Sequence, residues 1–121
     1  MRTWISIGAA LGALAVILGA FGAHALKERL DAEQLAWWNT GVQYHMSHAL
    51  ALVLFGIASE RGRSGGLAGA LFLLGLTLFS GTLYAMALGA PRWFGAITPV
   101  GGAALILAWI LVALSARRHS R

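Results

Sequence analysis

The chain has no cysteine among its 121 residues, which excludes disulfides, thiolate metal sites and a cysteine nucleophile. Charge is scarce as well. Asp, Glu, Lys and Arg make up 11% of the sequence, against about 25% in soluble domains, while 59% is hydrophobic. Such a surface does not suit water. No stretch alternates with period two, which argues against a β-barrel. Ser80 does not lie in a G-x-S-x-G elbow, and no phosphate loop ending in Gly-Lys-Ser/Thr is found. Ser80 sits in Phe-Ser-Gly-Thr, and no acidic residue inside the apolar segments completes a triad with it and His48. All four acidic residues, Glu28, Asp31, Glu33 and Glu60, fall in connections, so no membrane carboxylate is present to cycle protons. No basic stripe with interleaved aromatics is found, which speaks against nucleic acid as a partner.

What the sequence does contain is four apolar blocks, over about 4–26, 41–58, 67–88 and 94–116. Each matches the roughly 20 residues needed to cross about 30 Å of hydrocarbon at 1.5 Å per residue. Backbone polar groups in lipid must be satisfied within the segment, which leaves helices. Ala23-His24-Ala25 resembles a signal-peptide cleavage site, but the apolar run before it exceeds the usual length of about 7–15 residues and three more spans follow. We read it as a retained helix. The expected fold is all-α, an integral membrane four-transmembrane-helix bundle in one domain over 1–121, with an interfacial connection over 27–40.

The connections orient the chain. Asp31 followed by Gln34 forms a capping-box pattern that predicts a helix start at Ala32, and Trp37 and Trp38 mark the membrane interface. Glu60–Gly66 reads as a flexible loop, Gly89–Trp93 holds Pro91, and Thr98-Pro99 predicts a helix start with a threonine cap. Arg2, Arg61, Arg63, Arg117, Arg118 and Arg121 would share one side, against Lys27, Arg29 and Arg92 on the other. Six against three predicts both termini in the cytoplasm.

Small residues predict where helices meet. Gly8, Gly12, Ala15, Gly19 and Gly22 line one stripe of the first helix, and Gly81, Ala85 and Gly89 line one of the third. Packing within the chain and self-association both fit such stripes. The polar residues within the spans are the most informative feature, because ionisable groups in hydrocarbon are costly and turn inward. Tyr44, His45 and His48 cluster on the second helix and Ser80 and Tyr84 on the third, with His24 near the end of the first and Thr98 at the start of the fourth. With the assigned topology all fall in the outer half of the bilayer. His24 lies roughly 140° around its helix from Gly19, so it must face a different neighbour.

Several chemistries fit this cluster. The histidines can tie helices together by hydrogen bonds, since neutral imidazole both donates and accepts. They can line a site for a small ligand or a lipid headgroup, or ligate a metal or haem, for which His24 and His48 are the pair on separate helices. They can also carry protons or a small solute. No carboxylate lies nearby to complete a metal shell, and no cofactor is predicted; the purified protein is expected to be colourless.

Four ordered motifs carry a family resemblance: Gly19-Ala-Phe-Gly-Ala-His24, Thr40-Gly-Val-Gln-Tyr-His-Met-Ser-His48, Leu78-Phe-Ser-Gly-Thr-Leu-Tyr84 and Thr98-Pro-Val-Gly-Gly102. Over nearly the whole chain the sequence resembles the YgdD/YwdK-like family of small bacterial membrane proteins with mitochondrial relatives, a domain of unknown function. The resemblance implies four transmembrane helices and an inner-membrane location, and it implies no reaction. His24, Tyr44, His48, Ser80, Gly81, Tyr84, Thr98, Pro99, Gly101 and Gly102 match the family pattern. Two positions depart from it, His45 where glutamine is usual and Thr82 where serine is usual. The first departure counts against a His45/His48 metal pair as a family-wide feature. The expected role is a non-enzymatic binding or assembly module that packs against lipids, a second copy of itself or a larger membrane complex. A histidine-ligated haem or metal protein and a small-solute transporter are the alternatives.

Overall fold

The polypeptide forms four long helices: α1 over Arg2–His24, α2 over Ala32–Ser59, α3 over Leu67–Ala87 and α4 over Thr98–His119. The computed structural model describes residues 2–59 and 66–119. The loop arginines Arg61 and Arg63, and Arg121, lie outside the described residues, as does the side chain of Arg118. All four helices are long and apolar enough to cross a membrane. Their exteriors carry large apolar side chains, among them Val16, Ile17, Leu54, Leu67 and Ile106, each more than half exposed. In water this surface would aggregate; in lipid it is solvated.

Local chemistry sets the helix ends. Asp31 Oδ1 accepts the Gln34 N–H at 2.8 Å, and Gln34 Oε1 accepts the Asp31 N–H at 3.0 Å. This reciprocal cap starts α2 at Ala32, so the helix already runs through Trp37 and Trp38 and the connection before it is shorter than 27–40. Gly89 ends α3 at φ +111°, where an L side chain would be strained. The Ala90 N–H reaches back to the Ala85 carbonyl and the Gly89 N–H to that of Met86, a Schellman closure with Pro91 just beyond. A 3₁₀ turn over Arg92–Ala96 then leads into α4. Thr98 opens α4 without capping it. Its hydroxyl lies 2.6 Å from that of Thr82 on α3, and Thr82 in turn donates to the Leu78 carbonyl at 2.6 Å.

The helices pack in series, α1 on α2, α2 on α3 and α3 on α4, with no comparable α1–α4 interface among the described residues. Two close crossings hold the outer helices. A Cβ on Gly8 would come within 2.8 Å of the Ala49 oxygen and the Val53 nitrogen, so α1 lies directly against the α2 main chain. One on Gly101 would meet the Phe79 nitrogen at 2.5 Å and the Gly75 oxygen at 2.8 Å, which sets α4 against α3. Without a hydrophobic drive between helices in lipid, such approaches gain dispersion contacts instead. Leu52 and Phe72, both fully buried, centre the core with Ala51, Leu76, Leu105 and Ala108. On the side of the 3₁₀ turn, Arg92 pairs with Glu33 at 2.6 Å and lies 5.5 Å from the Trp37 ring centroid.

Candidate functional site

The polar side chains within the spans resolve into two groups on either side of α2. The first joins α2 to α3 and α1. Gly41 has no side chain, and the Tyr84 ring fills the space; a Cβ there would sit 2.8 Å from the ring. One turn back on α3, the buried Ser80 hydroxyl donates to the Gly41 carbonyl at 2.7 Å. One turn further along α2, His45 Nδ1 and the Tyr84 hydroxyl share a 2.8 Å hydrogen bond. Trp38 packs against Tyr84 with ring centroids 4.7 Å apart and the planes tilted by 47°, and its indole N–H donates to the Leu18 carbonyl of α1 at 2.9 Å. Gly22 makes that bond geometrically possible, since a Cβ would stand 2.5 Å from the indole.

His45 is buried, and its Nε2 has no hydrogen-bond partner. The Leu11 main chain lies near the ring, but no hydrogen bond of normal geometry reaches Nε2.

The second group joins α2 to α4. The Trp109 indole N–H donates to His48 Nε2 at 3.0 Å. Indole can only donate, so Nε2 is the acceptor and the imidazole proton sits on Nδ1. That nitrogen lies 2.8 Å from the Tyr44 carbonyl, one turn back on the same helix, and 3.1 Å from Ser47 Oγ. Both nitrogens of His48 are therefore engaged. Around them the Tyr44, Phe72, Phe79 and Trp109 rings form a continuous cluster, with Phe72 and Trp109 edge-to-face at 4.9 Å. Trp109 is eleven residues into α4, roughly 16 Å at 1.5 Å per residue, so this bond sits near the middle of the span rather than in its outer half.

The remaining candidates are placed elsewhere. His24 is exposed at the end of α1 and is not brought to His48. Tyr44 is 41% exposed, with its ring on Phe79 and His48. Gly12 and Gly19 face Ala49 and Val42 of α2, and a Cβ on Gly19 would stand 3.3 Å from the Val42 side chain. Gly81 is exposed, and a Cβ there would meet nothing within 4 Å, so it makes no helix contact; Gly75 and Gly101 form the tight α3–α4 approach in its stead. Among the described residues no three His, Asp or Glu side chains converge as a metal site would require. Sequence reasoning missed Trp109 and Trp38 as polar partners. Trp109 carried a signal, because it is the one tryptophan in the middle of an apolar block, far from the interfacial belt.

Comparison with known proteins supplies the identity. Residues 18–102 match the model of a family described as "Protein of unknown function (DUF423)". The chain is 42% identical to the UPF0382 membrane protein YwdK of Bacillus subtilis, over 98% of this chain and 99% of the relative. The chain belongs to the DUF423/UPF0382 membrane protein family. It is 39% identical to a UPF0382 membrane protein of Staphylococcus haemolyticus over 95% of each chain. It is 36% identical to the UPF0382 inner membrane protein YgdD of Escherichia coli over 99% of this chain and 93% of that one. No solved structure matches. The family assignment and the four spans together make this a multi-pass membrane protein.

Proposed function

We propose that this family member is a non-enzymatic binding and assembly module of the bacterial inner membrane, with both termini in the cytoplasm. One observation carries the reading. The imidazoles that look reactive in the sequence are occupied: both nitrogens of His48 and Nδ1 of His45 hold hydrogen bonds within the bundle. A group committed to two partners in a dry site serves as a fastener, and moving it to a substrate would break bonds that nothing in lipid replaces. The orientation rests on the six-to-three basic bias.

The test compares Tyr84→Phe and His45→Leu with the parent protein in detergent. Both variants should melt at lower temperature, because each leaves a buried polar partner unpaired. Unchanged stability in both, with loss of a bound small molecule, would make the site functional and not structural. A reporter fused after Arg121 should be active on the cytoplasmic side; activity only in the periplasm would reverse the orientation. A second reading, binding of one small polar molecule, is favoured by His45 Nε2, the one buried side-chain nitrogen without a partner among the described residues. It predicts that such a molecule raises the melting temperature of the parent protein and leaves His45→Leu unaffected.

A further inference from the structure

A helix face turned to lipid should carry apolar side chains, and α2 breaks that rule. Thr40, Gln43 and Ser47 are exposed, and Leu50, Leu54 and Ile57 extend the same ridge toward the other end of the helix. Gln43 lies about 160° around the helix from His45, at 100° per residue, so the ridge faces away from the α1 and α3 contacts. Its depth follows from its neighbours. Val42 packs on Gly19, and on α1 at that level Ile17 and Phe21 are 62% and 50% exposed, as lipid-facing side chains are. Gln43 is thus within the hydrocarbon, and its amide makes no hydrogen bond with any described residue.

We propose that this ridge is the interface between two parallel copies of the chain, related by a two-fold axis along the membrane normal. The inference deepens the assembly reading and rests on it. A side-chain amide offers both a donor and an acceptor, so two of them at one depth satisfy each other. Copies inserted with the same topology bring Gln43 to the same depth, and a two-fold axis makes the patch self-complementary. An acyl chain offers neither donor nor acceptor. The ridge spacing, alternately three and four residues, is that of a left-handed helix pair, the common crossing in membranes. Thr40 and Ser47 are small enough to let the backbones approach on either side of the amide.

Because the chain has no cysteine, single-cysteine variants report without background. Thr40→Cys, Ser47→Cys and Leu54→Cys would be oxidised with copper phenanthroline in membrane vesicles. Ile17→Cys on α1 and Ile106→Cys on α4 serve as equally exposed controls. Disulfide-linked dimers should form at the three ridge positions and not at the controls. Equal cross-linking at ridge and control positions, or none at the ridge, overturns the interface. An adduct with a partner of different mass overturns the second copy as occupant. With dyes at the C-terminus, Gln43→Leu should weaken the association read by energy transfer between copies about threefold to eighteenfold, the factor given by an intramembrane hydrogen bond of about 0.6–1.7 kcal/mol. Unchanged affinity overturns the amide pairing. Ser47→Cys gives up the hydroxyl contacts with His48 and Tyr44, whereas Thr40→Cys, Leu54→Cys and Gln43→Leu touch none of the bonds between helices, so the Tyr84 and His45 stability tests are read independently of dimer formation.

Discussion

Replacing Trp109 by phenylalanine removes the indole that reaches His48 while leaving a ring in place. Two terms are lost together. The first is the 3.0 Å hydrogen bond to His48 Nε2. Bonds of this kind in membranes average about 0.6 kcal/mol and reach about 1.7. The second is part of the aromatic contact with Phe72 at 4.9 Å and with the His48 ring at 5.9 Å, where a pair contributes about 0.5–1.5 kcal/mol. The single variant should therefore lose about 1–3 kcal/mol, and its size alone cannot separate bond from packing. A double-mutant cycle with His48→Leu does so. If the indole and imidazole are directly bonded, the two substitutions together should cost less than their sum, by about 0.6–1.7 kcal/mol. Equilibrium unfolding in mixed micelles, followed by circular dichroism, supplies all four corners. A coupling near zero would refute the reasoning, because it would mean that the α2–α4 contact is apolar packing with an incidental polar atom.

The glycines give a sharper contrast. Gly101→Val should open the α3–α4 crossing and cost about 1–3 kcal/mol or more, since its Cβ would press on main-chain atoms that cannot rotate aside. Gly81→Ala should be neutral or stabilising, because nothing lies within 4 Å of the new methyl and alanine is the better helix former by about 1 kcal/mol. The same unfolding assay reads both, and equal destabilisation would contradict the assigned faces. Thr82→Val keeps the shape and removes the hydroxyl between Thr98 and the Leu78 carbonyl, so it should cost about 0.6–1.7 kcal/mol. A variant as stable as the parent would show that this relay contributes nothing.

Four spans were legible because length and apolarity suffice to define them. The start of α2 was legible too, since a reciprocal Asp31–Gln34 cap depends only on residues three apart. The α1 stripe could be read because glycine and alanine recur on one side of a helix otherwise lined by bulky residues, and Gly8 and Gly22 do meet α2 there. On α3 the same reasoning points to Gly81, which faces outward. Large apolar side chains surround that helix on every side, so hydrophobic periodicity does not fix its rotation. Gly69 and Gly75 compete with Gly81 for the contact, and only packing against Phe55, Trp4 and Leu105 decides. The partners of the histidines were illegible for a related reason. Spacing brings Tyr44, His45 and His48 near one another on α2, but which residue each meets depends on how α3 and α4 are rotated and staggered. Tyr84 reaches His45 through the gap at Gly41, and Trp109 reaches His48 from a helix that contributed no midspan polar candidate. His24, one of the costliest residues by type, is exposed at the end of α1, a place from which a histidine can snorkel to a polar interface.

If the intramembrane histidines are fasteners, the position of the proton on His48 reports it most directly. Nitrogen-15 NMR of histidine-labelled protein in lipid bilayers distinguishes a proton on Nδ1 from one on Nε2. Donation from Trp109 requires Nε2 to be the acceptor, so His48 should show the Nδ1–H form in the parent protein. In Trp109→Phe the Tyr44 carbonyl still holds the proton on Nδ1, and the Nε2 resonance should shift as its donor is lost. A proton on Nε2 in the parent, or a His48 spectrum indifferent to Trp109, would contradict the account and make His48 a free functional group.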